Sequence, residues 1–417
     1  MLALGSWKPL QGLQILDIST YVAGPSGAMA LALLGADVIR VDPLGGATDT
    51  RRLPLAPNGV SLYWCGLNRG KRSIEVDTTT DAGRAVVAAL LANTGPEGGI
   101  LLTNAVGQRW LDYDELRRHR PDLIHVHIQG QNDGAPAVDY TVNAEVGLPL
   151  ITGASDSTRP VNHVLPAWDL LTGLHAAIGI LAAVRDRSAN GQGRSITLSL
   201  ADVAASTMAQ LGFVADAIVN KATRLREGNY LYGTFGCDFE TADGGRVMVV
   251  ALTPRHWQRL VSVTGLGDVV AALEPALGAS LDKEEDRYKH REVLSGLLRP
   301  WFAQRSLPEV AAALDDSGVL WSSYRTVEEL VAGENSLIAR STIFVDVEQP
   351  SIGRYPAPGS VLRLPGLDPV RACASSVGQH TTTVLAEVLG ADETEILRLA
   401  QEGAIAPRHE SLESHQR

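Results

Sequence analysis

The sequence predicts an α/β protein: a larger domain built on a parallel sheet, and a smaller α+β domain. Two observations carry this. Short β-branched runs alternate with helical stretches through the first half of the chain, which is the βαβ pattern of a parallel sheet covered by helices. Glycine is abundant, with 41 of 417 residues, while aromatics make up only 5%, a mix that suits tight βα turns better than an all-β sandwich.

The strand candidates are "LQILDIS" (13–19), "ADVIRVD" (36–42), a run following "GLNRGKR", "GILLTNA" (99–105) and "DLIHVHIQG" (122–130). Between them "SGAMALALLG" and "TDAGRAVVAALLAN" read as helices. The run from Asp169 to Arg187 is apolar nearly all round, and Gly173, Ala176, Ala177, Gly179, Ala182 and Ala183 permit close packing. The expectation is a buried helix. A second helical run covers 201–219. After it, "REGNYLYGTFGCDFETADGGRVMVVAL" (226–252) is glycine- and aromatic-rich, turns at Asp243-Gly244-Gly245, and opens a second unit. Charged helices follow to about residue 330. The tail is strand and turn, ending in two short helices. Domain boundaries are therefore expected at 1–225, 226–330 and 331–417.

Composition excludes several classes. A net charge of −11 argues against a nucleic-acid surface, because phosphate backbones need a basic footprint. Any anionic ligand must be held by a local cluster. Cys65, Cys237 and Cys373 are far apart and show no C-x-x-C spacing, so neither a disulfide framework nor a zinc site is indicated, and a reducing cytoplasm is expected. "MLALGSWKPL" lacks the pattern of a signal peptide, and no stretch reaches about 18 uninterrupted apolar residues. No membrane span is expected.

Several residues could carry chemistry. Gly24-Pro25 in "STYVAGPSGAMA" follows the first strand, where backbone N–H groups can meet a ligand, but the G-x-G-x-x-G fingerprint is absent; a plain βα turn is the competing reading. "GLNRGKRSIEVD" gathers Arg69, Lys71 and Arg72 around a glycine, a cluster suited to phosphate or carboxylate and equally to a solvated turn. Arg40 and Asn104 fall toward the carboxyl ends of strands, where open α/β sheets bind ligands. There is no G-x-S-x-G and no H-E-x-x-H or other metal spacing. Asp169 in "PAWDLLTG" opens the long helix. It is read as an N-cap, and as a carboxylate that the helix dipole keeps ionised and available as a nucleophile.

In order and spacing, "LQGLQILDISTYVAGPSGAMALALLGADVIRVDPLGG", "LNRGKRSIEVD", "LDYDELRRHRPDLIHVHIQG" and "PAWDLLTGLHAAIGILAAVRDRSANGQGRSITLSLADV" resemble the family III CoA-transferases. The resemblance implies a Rossmann-like large domain, a late-inserted small domain, a C-terminal segment returning to the large one, and an interlocked homodimer. It places the catalytic aspartate at Asp169. Coenzyme A, entering as part of the substrate and not as a tightly bound cofactor, would be met by Val22, Arg40, Asn68, Arg69, Lys71, Arg72, Asn104 and Arg109. The segment "TNAVGQRWLDY" is shorter than the family pattern. "VDYTVNAEVGLPLITG", "VNHVLPAWD" and "GNYLYGTFGCDFET" resemble members that move CoA between the two carboxyls of one unsaturated branched C5 dicarboxylate. Intermolecular transfer to a free acid is the alternative. Racemases of the family carry G-H-D-x-N-Y, and here "AVDYTVN" puts Val138 at the place of that histidine; His163, a possible substitute base, stands before a proline turn. The turn "YGTFG" (232–236) matches in position a glycine loop that shields the reaction in some members, without its four glycines.

Overall fold

The computed structural model describes residues 8–334, 336–363 and 371–406. The chain forms two compact units, the larger comprising Met1–Val146, Val164–Ile218 and Ser341–Arg417, the smaller Gly147–His163 and Val219–Arg340.

The larger unit is built on six parallel strands: β1 (Gln14–Ile18), β2 (Asp37–Asp42), β3 (Arg72–Glu75), β4 (Ile100–Thr103), β5 (Ile124–Gln129) and β6 (Arg194–Ser199), in the order β3-β2-β1-β4-β5-β6. The order reverses between β1 and β4, and the crevice past their carboxyl ends is the usual ligand position of such sheets. Strands β1 to β5 match the expected runs. β6 has no continuous apolar run. It is an edge strand, half of it exposed, recruited by parallel pairing with β5.

The helices of this part of the chain are α1 (Ala23–Ala32), α2 (Leu62–Leu67), α3 (Asp81–Asn93), α4 (Tyr113–Leu116), α5 (Asp139–Glu145), α6 (Leu148–Ile151, in the smaller unit), α7 (Ala167–Asn190) and α8 (Leu200–Gln210). The run 201–219 is not one helix: Gly212, at φ 81°, ends α8, and the chain bends by 74° into a further helical segment. The core on one face of the sheet joins Ile39, Ile74, Val87, Leu90 and Leu101 to Val384, Leu385, Ile396 and Leu399 from the two C-terminal helices, Thr381–Leu389 and Glu393–Gln401.

Helices α1 and α7 meet backbone to backbone. A Cβ added at Gly27 would lie 2.4 Å from the Gly173 carbonyl oxygen, and one at Gly173 would lie 2.5 Å from the Ala23 carbonyl and 2.3 Å from Ser26 Oγ. Only glycine fits at either place. The α7 face bearing Gly173, Ala176, Ala177, Ile180 and Ala183 is buried accordingly. The opposite face is not: Leu174, Ile178 and Leu181 are exposed, Ile178 by 62%. The expectation of burial all round therefore fails within this chain, because only one face meets α1, α8 and the sheet. By length and apolar content α7 would suffice to cross a bilayer, yet its small-residue face is packed inside the unit.

The smaller unit has an antiparallel sheet of β7 (Phe235–Glu240), β8 (Arg246–Ala251) and β9 (Leu320–Ser323), covered by helices whose Trp257, Leu260, Leu294, Leu298 and Phe302 pack on Phe235, Phe239, Val247 and Val249. The segment 147–163 belongs here and not to the first domain, where the sequence boundary at 225 had left it. Arg226 explains why: it donates to the carbonyls of Pro149, Leu150 and Ser157, while Gly228 N–H donates to Gly153. The YGTFG turn leads into β7, with Gly233 at φ 79°.

Gly173→Ala is expected to destabilise the protein by about 1–2 kcal/mol, since at a contact with backbone the overpacking cost lies toward the upper end of about 1–3 kcal/mol and is offset by the roughly 1 kcal/mol that alanine gains over glycine inside a helix. Urea unfolding checks this; an unchanged or raised midpoint would contradict the contact.

Candidate active site

Asp169 is the third residue of α7 and half-buried. It does not cap the helix. The N-cap position is Pro166, which offers no side-chain acceptor, and the cap comes from another helix. Asp139, the first residue of α5, accepts from Trp168 N–H at 2.8 Å and from Asp169 N–H at 3.2 Å through Oδ2. One turn further along α5, Asn143 accepts from the Trp168 indole at 3.2 Å. Both α5 side chains are buried. The N-cap expected at Asp169 is thus supplied across space by Asp139, so the Asp169 carboxyl is not spent on the backbone.

Burial pushes the Asp169 carboxyl up to about 7, and the nearby Asp139 carboxylate adds to the rise; Arg52 pulls it back in part. The helix N-terminus alone does not keep it in the ordinary carboxylate range. Arg52 stands 5.0 Å from the ring centre of Tyr63 and 5.6 Å from that of Tyr21. Tyr21 is one of three described non-glycine residues at positive φ (68°), held there as its N–H donates to Asp49 at 2.9 Å. Arg52, Tyr63 and Asp139 are the site residues that sequence reasoning missed. Asp139 stood in the motif quoted beside Val138; Arg52 gave no signal beyond its basic pair with Arg51.

The residues expected to meet coenzyme A fall into three groups. Arg40, Asn68 and Lys71 are brought together in a buried polar cluster under the carboxyl edge, with Val22 buried at the start of α1 beside it. Arg40, 1% exposed, donates to Asp42, Asp49 and Asn68 and lies 5.6 Å from the Trp64 ring centre. Lys71, 3% exposed, donates to Asp17 at 2.8 Å, to the Pro25 carbonyl at 2.9 Å and to Asn68 Oδ1 at 2.8 Å. An ammonium has three donors, and all are used. Burial brings the Lys71 ammonium down to about 8 against the pull of Asp17, so it remains charged at neutral pH. Neither the solvated turn nor an open phosphate clamp describes it.

The second group points elsewhere. Arg69 donates to the Pro358 carbonyl, and Arg72 bridges Asp37 and Glu387. The third lies at the sheet edge: Asn104 bonds both backbone groups of Thr20, at 3.0 Å each, tying the end of β4 to the end of β1 across the switch point. Arg109 is exposed in the short helical turn that follows. Gly24 is needed because Ser19 crowds it: a Cβ there would lie 2.2 Å from Ser19 Oγ, whose hydroxyl in turn donates to Asp17.

This crevice belongs to a protein of known family. Residues 10–381 match the model of CoA-transferase family III, and the chain is a member of that family. It is 46% identical, over 95% of its length and 98% of the other's, to 2-methylfumaryl-CoA isomerase of Chloroflexus aurantiacus. It is also 31% identical, over 70% of its length and 75% of the other's, to succinyl-CoA:mesaconate CoA-transferase of Haloarcula hispanica. Its fold is shared with a CAIB/BAIF family protein from Brucella suis, with a TM-score of 0.75, 24% identity, and coverage of 91% of this chain and 99% of that one.

Two outcomes follow from the site's electrostatics. Lys71→Met leaves Asp17 buried without its cation and is expected to cost about 3–5 kcal/mol in a denaturation experiment, part of it recovered when Asp17→Asn is added. Asp169 acts through its raised folded-state pKa. Its protonated form stabilises the fold fully below the unfolded value near 3.8, and that contribution is lost as pH rises through about 7. Asp169→Asn is therefore expected to raise Tm by a few degrees at pH 8 and to leave it nearly unchanged at pH 4; equal effects at both would refute the electrostatic reading.

Proposed function

We propose that the protein moves coenzyme A between the two carboxyls of 2-methylfumaryl-CoA (mesaconyl-CoA), within one molecule, with Asp169 as the nucleophile. The observation that carries this is the Asp169 carboxyl, released from capping by Asp139 and set on the helix packed against the first turns of α1. The 46% identity to the Chloroflexus isomerase supports the substrate.

A carboxylate oxygen of Asp169 attacks the thioester carbonyl carbon. The C–S bond breaks, CoA leaves as its thiolate, and an acyl-aspartyl anhydride remains. The thiolate then attacks the aspartyl carbonyl, forming the enzyme thioester and releasing the dicarboxylate. After the acid turns over, its other carboxylate attacks that thioester, CoA thiolate is expelled again, and its attack on the new anhydride gives the isomeric thioester and free Asp169. Each addition places charge on a carbonyl oxygen, which backbone N–H donors at the carboxyl edge stabilise. Attack requires the ionised carboxylate, so a pKa near 7 makes kcat/KM fall as pH drops through that value.

For coenzyme A, Val22, Asn104 and Arg109 at the carboxyl edge are the direct contacts in this reading, while Arg69 and Arg72 are held by Pro358, Asp37 and Glu387. Arg40, Asn68 and Lys71 shape the floor, where their charges are already paired with carboxylates. A homodimer accounts for the exposed apolar stripe of α7, continued by Leu165, Leu211, Val214 and Ile218. Three free thiols fit a cytoplasmic location. Racemisation is disfavoured because Val138, at the place of the racemase histidine, supplies no base.

Asp169→Ala should lower turnover by more than tenfold, which is more than about 1.4 kcal/mol, while CoA binding stays within a few-fold. Labelled free mesaconate added during turnover should enter product at far below one label per event, because an acid retained in the pocket has a high effective concentration. Stoichiometric incorporation would make the enzyme an intermolecular transferase instead.

A further inference from the structure

A half-ester of a dicarboxylic acid brings a second charge into the site, and the isomerisation proposed above requires that this free carboxylate be held while its twin reacts. Most cations expected to meet the substrate are already committed. Arg40 and Lys71 are buried in ion pairs, Arg72, at the amino end of β3, bridges two carboxylates, and Arg69 is on a carbonyl. Arg52 differs from all of them.

Its guanidinium is exposed, and its arrangement is fixed from several sides. Tyr21 and Tyr63 place their rings 5.6 and 5.0 Å from it. Tyr21 is itself fixed by Asp49 at its N–H and by Thr48 Oγ1, 3.0 Å from its hydroxyl. The Arg52 backbone is pinned by Ser61 Oγ, which donates to its carbonyl at 2.5 Å. Ring stacking orders a guanidinium while leaving its in-plane N–H donors available, and that fork matches a carboxylate. The second anchor is the place of this cluster: Tyr21 stands two residues before Ala23, whose carbonyl faces Gly173, one turn beyond Asp169, so the segment that carries the ring beside Arg52 runs into the contact with the helix of Asp169. The Arg52 charge accordingly draws the Asp169 carboxyl down.

We infer that Arg52 is the carboxylate seat of the active site, binding the free carboxyl of the substrate while the other carboxyl is esterified to CoA or joined to Asp169. The two ends of the acid then exchange places between one cation and one nucleophile. A seat of this kind selects dicarboxylic over monocarboxylic thioesters, because an acyl chain ending in a methyl group gains nothing from it and must desolvate the guanidinium.

This inference rests on the proposed reaction for its substrate, so its test is made independent of turnover. In full-length protein carrying Asp169→Asn, binding of mesaconyl-CoA is compared by calorimetry with binding of the CoA thioester of 2-methylbut-2-enoic acid, which has a methyl where mesaconyl-CoA has its free carboxylate. The expected result is a preference for mesaconyl-CoA that Arg52→Gln reduces by about 10- to 100-fold, the range of a charge-assisted bond, with affinity for the methyl analogue and for free CoA changed less than about threefold. Arg52→Lys should keep part of the preference. Equal weakening of both thioesters and of CoA would mean that Arg52 holds a CoA phosphate, and an unchanged preference would mean that it holds nothing; either overturns the proposal. Whether mesaconyl-CoA modifies Asp169 in the otherwise unaltered protein is measured separately by intact mass. Failure there would strike the nucleophile assignment and leave the carboxylate seat standing.

Discussion

The contact of Gly27 with Gly173 is the constraint on which the candidate site rests. Two helices separated by more than 140 residues of sequence meet backbone to backbone, closer than any side chain would permit. Gly173 is one turn beyond Asp169, so the contact brings the helix of Asp169 against the first turns of α1, which follows β1. The crevice at the reversal of strand order is available in any sheet of this type. What makes it chemically specific here is a carboxyl delivered to it by close helix packing.

Beneath that edge the chain buries charge at considerable cost and compensates it locally. Asp17, Asp42 and Asp49 face Arg40 and Lys71, with Asn68 accepting from both cations. Removing such groups from water is costly unless every donor is matched, and for Lys71 every donor is. The network also reaches the surface, because Asp49 holds the Tyr21 N–H and thereby the aromatic ring beside Arg52. Buried ion pairing and an exposed guanidinium are thus joined through one carboxylate.

The sheet was legible in the sequence because β1, β2, β4 and β5 are largely buried and leave short runs rich in Ile, Val and Leu, even where Asp17, Arg40, His125 and His127 interrupt them. β6 was not, since an exposed edge strand has no such signature. The helix of Asp169 was legible from its small residues, but burial on every side was an over-reading: composition cannot tell a helix enclosed by its own chain from one with a face left open. Site residues divide in the same way. Asp169 and the Lys71 cluster stood out by residue type, yet whether a cation faces a ligand or an internal carboxylate depends on partners such as Asp17, 54 positions away. The cap on α7 was assigned to the residue in sequence register, and the structure gives it to one 30 positions earlier.

That displaced cap joins two properties that are usually inherited separately. Asp139 holds the first N–H groups of α7 and, by its charge, raises the energy of the ionised Asp169 carboxylate. A substitution at this position therefore alters how the helix begins and how readily Asp169 loses its proton in the same stroke. Lineages descending from such a chain cannot drift neutrally at residue 139 towards a new acidity without also rebuilding the helix start. Changes in reaction type are accordingly expected to arrive as linked substitutions in α5 and α7, and a lone exchange at either end yields a chain that is neither as well folded nor as well tuned as its parent.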